Sequence, residues 1–326
     1  MPSSFYVTDY GVELAPGESS QDVLLACMAE LPLLQTAEDL LLNDESSGEM
    51  HQPVLLRYAS NPELLSDTAY QFLKKTMSVQ TPVLFVFPDE EQPQQALSIK
   101  TFQDLAQQPG LYCLKSSQLE QAFSQHLAEL EQESIESLTL FAIDTLVSLP
   151  VLTESLQAGN LRTKINCNGR AAGEGWGWFT LQSKKPEESP AIQWQPGKWV
   201  KEPAPEREGS KEYKGLALSM APLIDNCPPL AGLAWICSRR QTSEDDLEAF
   251  MAFQYHWGNR NFKYQEQICL AKTLGDLGVA ALPIAVAIAC ERLAFGAFPK
   301  DSALVSHSQM NGIHYSLLLS KNRTFS

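Results

Sequence analysis

The side chains able to do covalent or acid–base chemistry at neutral pH are few: seven cysteines, at 27, 113, 167, 227, 237, 269 and 290, and five histidines, at 51, 126, 256, 307 and 314. No two cysteines stand as CxxC and none has histidines at ligand spacing, so the pattern indicates neither a zinc site nor a disulfide framework, and no cofactor is expected. Cys113 lies just before a helical pattern. A thiol at a helix N-terminus is favoured as thiolate by the backbone amides and the dipole, which would make Cys113 a nucleophile. Beside Leu111, Tyr112 and Leu114 it reads equally as an apolar filler. Ser117 and Glu120 stand at capping-box spacing, and Ser116 belongs with them as a cap. His126, seven residues after Leu119 on the same helical face, reads as a hydrogen-bonded core or rim residue. His256 beside Tyr255 and Trp257 reads as a packing or dimer-surface residue, and His51 falls in a polar loop. His307 and His314 alternate with apolar residues on a terminal strand pair and read as structural or surface groups.

The elements that must position these groups alternate along the chain. Phe5 to Thr8 is a strand followed by a turn at Tyr10-Gly11, and a helix from Ser20 to Leu31 buries Val23, Leu24 and Cys27 before Pro32 stops it. The acidic stretch from Glu38 to His51 is a surface excursion. Val54 to Leu56 is a short strand, and Asn61-Pro62 supplies the cap and first-position proline of a helix to about Met77. Val83 to Phe87, wholly apolar between Pro82 and Pro88, is the pattern of a strand covered on both faces, which implies a buried parallel sheet. Residues 90–111 read as loop. Leu119, Ala122, Phe123, Leu127 and Leu130 then make one helical face, and Leu138 to Ile143 is a further buried strand ending at Asp144.

Gly173 opens a strand through Leu181. The Lys-, Pro- and Glu-rich segment 184–211 reads as a linker or protruding hairpin, with strand pieces at 192–194 and 199–200 around Pro196-Gly197. The alternation then resumes: a helix near Leu216 to Ile224, a strand Leu233 to Cys237, a helix Ser243 to Trp257, an apolar helix Leu277 to Leu293, and strands Ala303 to Ser306 and Tyr315 to Leu319. Val279 to Ala289 is hydrophobic all round and demands a layer buried on both sides. The second half repeats the order of the first, dividing the chain into 1–165 and 166–326.

Asn168-Gly169-Arg170-Ala171-Ala172-Gly173-Glu174-Gly175-Trp176-Gly177 resembles the Asp-Gly-Phe-x-x-Gly-Glu-Gly-Ala-Gly segment of β-ketoacyl-acyl carrier protein synthases, members of the thiolase superfamily. Phe5 to Val12 is similar to the opening strand of that family, with Ala15-Pro16-Gly17 at its Pro-Leu-Gly turn. Leu140 to Asp144 is similar to the strand that ends in Gly-Gly-Val-Asp or Gly-Gly-Ala-Glu. Glu244 to Ala249 resembles Gly-Asp-Pro-x-Glu-Ala, and Leu274 to Ala281 resembles x-Gly-His-x-x-x-Ala-Ala. The resemblance implies an α/β, thiolase-like fold in which two pseudo-repeated halves stack as five αβαβα layers around a pair of buried helices, one starting near Ser116 and the other near Leu277. Gly173, Glu174 and Gly175 are its structural motif, with Glu174 as a structural carboxylate.

The family's chemistry uses a cysteine nucleophile and two histidines that stabilise enolate and oxyanion charge. The resemblance puts the nucleophile position at Ser116, or at Cys113 with a gap, the first histidine at Cys237 and the second at Asp276. A carboxylate at Asp276 would repel an oxyanion. The family's glycine-rich loop corresponds to Ser308 to His314, where Gln309 and Met310 would narrow the acyl pocket. The resemblance therefore implies a synthase-like protein without condensing activity, serving as a non-catalytic subunit or binding protein in a fatty-acid or polyketide-type pathway. The alternatives are an active acyltransferase using Cys113 or Ser116, and an unrelated α/β small-molecule binder.

The balance of 24 Lys and Arg against 39 Asp and Glu, a net charge of −15, leaves no basic footprint for nucleic acid. No apolar run reaches the roughly 20 residues of a bilayer span, so no membrane partner and a cytoplasmic location are expected. The resemblance implies a homodimer, or a heterodimer with a synthase-like partner, and contact with an acyl carrier protein. The apolar run Leu138 to Ile143 is assigned to the edge that pairs across the two-fold axis, with Leu138, Leu140 and Phe141 at the contact.

Overall fold

The computed structural model describes residues 5–14, 19–57, 62–76, 81–88, 109–186, 191–203, 214–226, 233–238, 266–297, 299–309 and 312–321. The strands are β1 (Phe5–Glu13), β2 (Gln35–Thr36), β3 (Leu42–Asn43), β4 (Met50–His51), β5 (Val54–Leu56), β6 (Val83–Phe87), β7 (Leu111–Lys115), β8 (Leu138–Thr145), β9 (Ala172–Gln182), β10 (Ile192–Lys201), β11 (Leu233–Cys237), β12 (Glu266–Cys269), β13 (Ser302–Ser308) and β14 (Ile313–Lys321). The helices are α1 (Ser20–Met28), α2 (Pro62–Thr76), α3 (Leu119–Glu131), α4 (Leu149–Gln157), α5 (Lys214–Met220), α6 (Leu270–Leu274) and α7 (Ala281–Ala294).

Ten strands form one path, β12-β11-β13-β14-β10-β1-β9-β8-β6-β7. Read inward from either end it has the same grammar. At one end β7, β6 and β8 are mutually parallel and β9 and β1 follow antiparallel; at the other, β12, β11 and β13 are parallel and β14 and β10 follow antiparallel. The two repeats meet where β1 pairs with β10, Phe5 opposite Trp194. β9 lies beyond residue 166 yet pairs with β1 and β8 of the first repeat, so the topological turnover falls between β9 and β10.

Helix α7 packs on β8, β9 and β1 of the first repeat and on β11, β13 and β14 of the second, which places it between the two parts of the sheet. Every residue from Ala281 to Cys290 is buried, the outcome expected of a helix apolar on all sides. Ala69 and Leu73 of α2 cover the opposite face of the first repeat with Phe85, Phe141 and Trp176. Ala217 and Met220 of α5 cover that of the second with Trp235, Leu304 and Leu318. The order is therefore helix, sheet, helix, sheet, helix.

Three expectations are corrected. β8 is a central strand rather than the free edge: it pairs with β6 and β9, and Leu138, Leu140 and Phe141 are each 0% exposed. Continuous apolar sequence marks burial on both faces, which a central parallel strand has and an edge lacks. Within the segment 184–211, residues 192–201 do not protrude but form β10 in the middle of the sheet. Pro196 is accommodated because the pairing with β14 shifts register between Pro196 and Trp199. Lastly, α3 buries one face only, through Leu119, Phe123, His126 and Leu130, and the helix that packs on α7 is α1. The expected turn at Tyr10-Gly11 lies inside β1, β7 and β12 were not expected as strands, and the helix expected at 243–257, with His256, lies outside the described residues.

Candidate functional site

The end of the parallel strand β8 meets the turn that leads into α7, the place where sites form in open α/β sheets. At the end of β8, Asp144 is 3% exposed, and its Oδ2 accepts the backbone N–H of Val279 at 2.8 Å. The preceding N–H, of Gly278, donates to Asp276 Oδ1 at 3.0 Å. Residues 278–280 form the 3-10 turn that leads into α7, so two carboxylates of this chain occupy its first donors, where the helix dipole favours negative charge. Gly278 has φ 52°, and a Cβ there would collide with the Asp144 carboxylate; glycine lets the carboxylate approach. The backbone of Asp276 is fixed too. Gly173 donates to its carbonyl and its own N–H donates to Ala171, both at 2.8 Å.

The Gly-Glu-Gly motif lies within β9. A Cβ on Gly173 would sit 2.7 Å from the Leu274 carbonyl, one on Gly175 2.5 Å from Leu14 Cδ2, and one on Gly177 2.8 Å from Ile284 Cγ1 of α7. The alternating glycines are the flat stripe on which the α6–α7 connection and α7 rest. Glu174 points the other way, 4% exposed, and accepts the Thr145 hydroxyl at 3.0 Å.

The structure separates the expected catalytic positions. Cys113 on β7 turns outward among Phe85, Phe141 and the α2 side chains, and burial pushes its thiol up. That is the reverse of thiolate activation. Ser116 is half-buried at the start of a 3-10 turn before α3, Ser117 is exposed, and the cap lies two residues earlier than expected: the Lys115 N–H donates to Gln118 Oε1 at 2.9 Å. Cys237 packs under α5 with Trp235 and Leu304. Strand alternation turns its neighbour Ser238 to the α7 side, where Ser238 Oγ lies 2.8 Å from His307 Nδ1, both residues 2% exposed. His307, read from the sequence as a structural or surface group, is buried. The signal was the period-two series Ala303, Val305, His307, which places the histidine on the core face.

His126, expected as a hydrogen-bonded core or rim residue, is 4% exposed, hydrogen-bonds the Ala122 carbonyl at 2.8 Å and meets Tyr112 edge-on. His51 departs from its loop assignment: it lies in β4, 8% exposed, 3.5 Å from the Thr163 hydroxyl. His314 Nδ1 lies 2.8 Å from Ser308 Oγ and its Nε2 3.1 Å from Glu202 Oε2. Glu202 also accepts the N–H groups of Lys214 at 2.7 Å and Gly215 at 2.9 Å, at the start of α5. Partial burial pushes the Glu202 carboxyl up, but His314 and these backbone donors together hold it below the usual carboxylate value. Among the described residues no three His, Cys, Asp or Glu side chains gather to hold a metal, and no helix is long and apolar enough to cross a membrane.

The sequence matches no protein-family model and no curated protein. Solved structures do match. An acyl-carrier protein in complex with its ketosynthase bound to the hexaketide, AntDE:AntF of a type II polyketide synthase, is similar at a TM-score of 0.72 and 12% identity, over 99% of this chain and 100% of that one. The ishigamide ketosynthase/chain length factor is similar at 0.68 and 12% identity, over 98% and 100%. A β-ketoacyl synthase from Burkholderia phymatum STM815 is similar at 0.67 and 11% identity, over 98% and 100%. The chain has the thiolase-like α/β fold of these ketosynthases. Of the alternative of an unrelated α/β small-molecule binder, the unrelated fold falls with that result.

Proposed function

We propose that this chain is a non-condensing, ketosynthase-like subunit of a fatty-acid or polyketide-type system that works beside a synthase-like partner or a second copy of itself. The observation that carries the reading is the filling of the α7 N-terminus: the position at which a condensing enzyme would present an imidazole is Asp276, which caps Gly278 beside Asp144. An anion developing there would meet two carboxylates. Serine at Ser116 and the outward, burial-raised thiol of Cys113 support the same reading.

The partner surface we assign is β7. It ends the sheet and, among the described residues, pairs only with β6, while Tyr112 is 45% exposed. An uncovered strand edge is a template for pairing. The similar ketosynthase in complex with an acyl-carrier protein makes a carrier protein a candidate partner of the assembly.

The reading in which this site transfers acyl groups draws on His307, which puts one imidazole on the α7 side of the sheet. Incubation with a mass-tagged acyl thioester followed by peptide mapping decides between them. We expect no stoichiometric adduct on Cys113 or Ser116. Labelling of either, abolished by its alanine variant, overturns the non-condensing reading.

A further inference from the structure

Ser308 and His314 are cross-strand partners at the ends of β13 and β14, on the α5 side of the sheet and so on the opposite face from Ser238 and His307. With Glu202 they make a continuous relay, Ser308 Oγ to His314 Nδ1 at 2.8 Å and His314 Nε2 to Glu202 Oε2 at 3.1 Å. We propose that Ser308, His314 and Glu202 form a serine-nucleophile site that transfers the acyl group of an activated ester or thioester to water.

The assignment of protons follows from the acceptors. Glu202 accepts two backbone N–H groups at the start of α5, which commits its carboxylate to the ionised, acceptor-only form. Facing that oxygen, His314 Nε2 carries a proton. When the ring is neutral, Nδ1 bears the lone pair and the Ser308 hydroxyl donates to it across 2.8 Å. A hydroxyl held with its proton on an imidazole, and the imidazole oriented by a carboxylate, is the arrangement that activates serine; roles are recognised by geometry, whichever ring nitrogen faces the serine.

The surroundings are shaped around this pair. A Cβ on Gly215 would lie 2.5 Å from His314 Cδ2 and 2.7 Å from Glu202 Oε2, so that position is open only because it is glycine. All three residues are half-buried, with the His314 side chain 14% and the Glu202 side chain 27% exposed, so the contact between imidazole and carboxylate is partly shielded. Among the described residues the adjacent Gln309 buries its Oε1 without a hydrogen-bond partner.

In the first step Ser308 Oγ bonds to the acyl carbonyl carbon while its proton passes to His314 Nδ1. The tetrahedral adduct collapses, the bond to the alcohol or thiol oxygen or sulfur breaks, and the leaving group departs with that proton. Water then adds to the acyl-serine, its proton going to His314 Nδ1 and from there to Ser308 Oγ as the carboxylic acid leaves. Glu202 remains ionised and stabilises the imidazolium.

The test uses the full chain, a fluorophosphonate probe with peptide mapping, and hydrolysis of p-nitrophenyl acetate, with circular dichroism to verify folding. We expect a single probe adduct on Ser308, lost in His314→Gln, and ester hydrolysis reduced on the order of 100-fold in both Ser308→Ala and His314→Gln. Absence of an adduct on Ser308 in the folded wild type, an adduct on another serine in its place, or a Ser308 adduct that survives His314→Gln overturns the proposal. Mapping at Ser308 is separate from acyl mapping at Cys113 and Ser116, so either reading can fail alone.

Discussion

The thiols of this chain differ in chemistry because of the face they occupy. Burial pushes Cys113 up, and burial, with the charge of Cys269 adding and a Thr273 hydrogen bond opposing, pushes Cys27 up to about 12. Cys167 is exposed. Alkylation by iodoacetamide at mildly basic pH is expected to modify Cys167 first, Cys113 more slowly, and Cys27 only on unfolding, because the thiolate is the reacting species. Peptide mapping over time checks the order, and a Cys113 that outpaces Cys167 would show that the thiol is activated. The glycines of β9 act at the same scale. Gly177→Ala puts a methyl against Ile284 and is expected to lower stability by about 1–3 kcal/mol in a urea melt. No loss would mean that α7 can move off the strand.

Helix ends are the elements on which the electrostatics converge. Asp276 caps the turn that opens α7, so Asp276→Ala is expected to lower stability by about 1 kcal/mol, and restoration by Asp276→Asn would separate capping from charge. At α5 the cap is Glu202. Its folded-state value lies below the ordinary 4.5, so the unfolded chain binds its proton more readily; the contribution is complete above 4.5 and is lost as pH falls through the folded value beneath it. Urea melts of wild type and Glu202→Gln are expected to differ at neutral pH and to converge on acidification below 4.5. A gap that widens in acid would reverse the sign of the argument.

The whole molecule has two sheet ends, and they are finished differently. At β12, Glu266 is held in a fork by Arg292, 2.9 Å from Nε and 2.7 Å from Nη2, with Lys300 at 3.6 Å. At β7, among the described residues, the outer edge pairs with no strand. Light scattering is expected to show a dimer, or pull-down a synthase-like partner, and Tyr112→Lys is expected to weaken that association at least about tenfold by charging the edge. A wild-type monomer at micromolar concentration with no partner recovered would count against the subunit role.

Period and composition along the chain are enough to define the layers. Val83 to Phe87 and Leu138 to Ile143 read as strands covered on both faces and are so; Leu277 to Leu293 reads as a helix buried on all sides and contains α7, because such burial leaves a local apolar signature. The Gly-Glu-Gly segment pointed to the thiolase-like architecture by its resemblance to the family's motif, and in the structure close packing admits only glycine at 173, 175 and 177. Which edge of the sheet is free, that 192–201 is central, and that Cys237 turns away while Ser238 meets His307 were decided by tertiary structure alone. Pairing order and facing depend on contacts between segments far apart in sequence. A one-residue shift along a strand sends a side chain to the other face, and local composition does not record that shift. The Ser308–His314–Glu202 relay joins β13, β14 and the end of β10 by the same kind of contact, more than a hundred residues apart along the chain for Glu202 and His314.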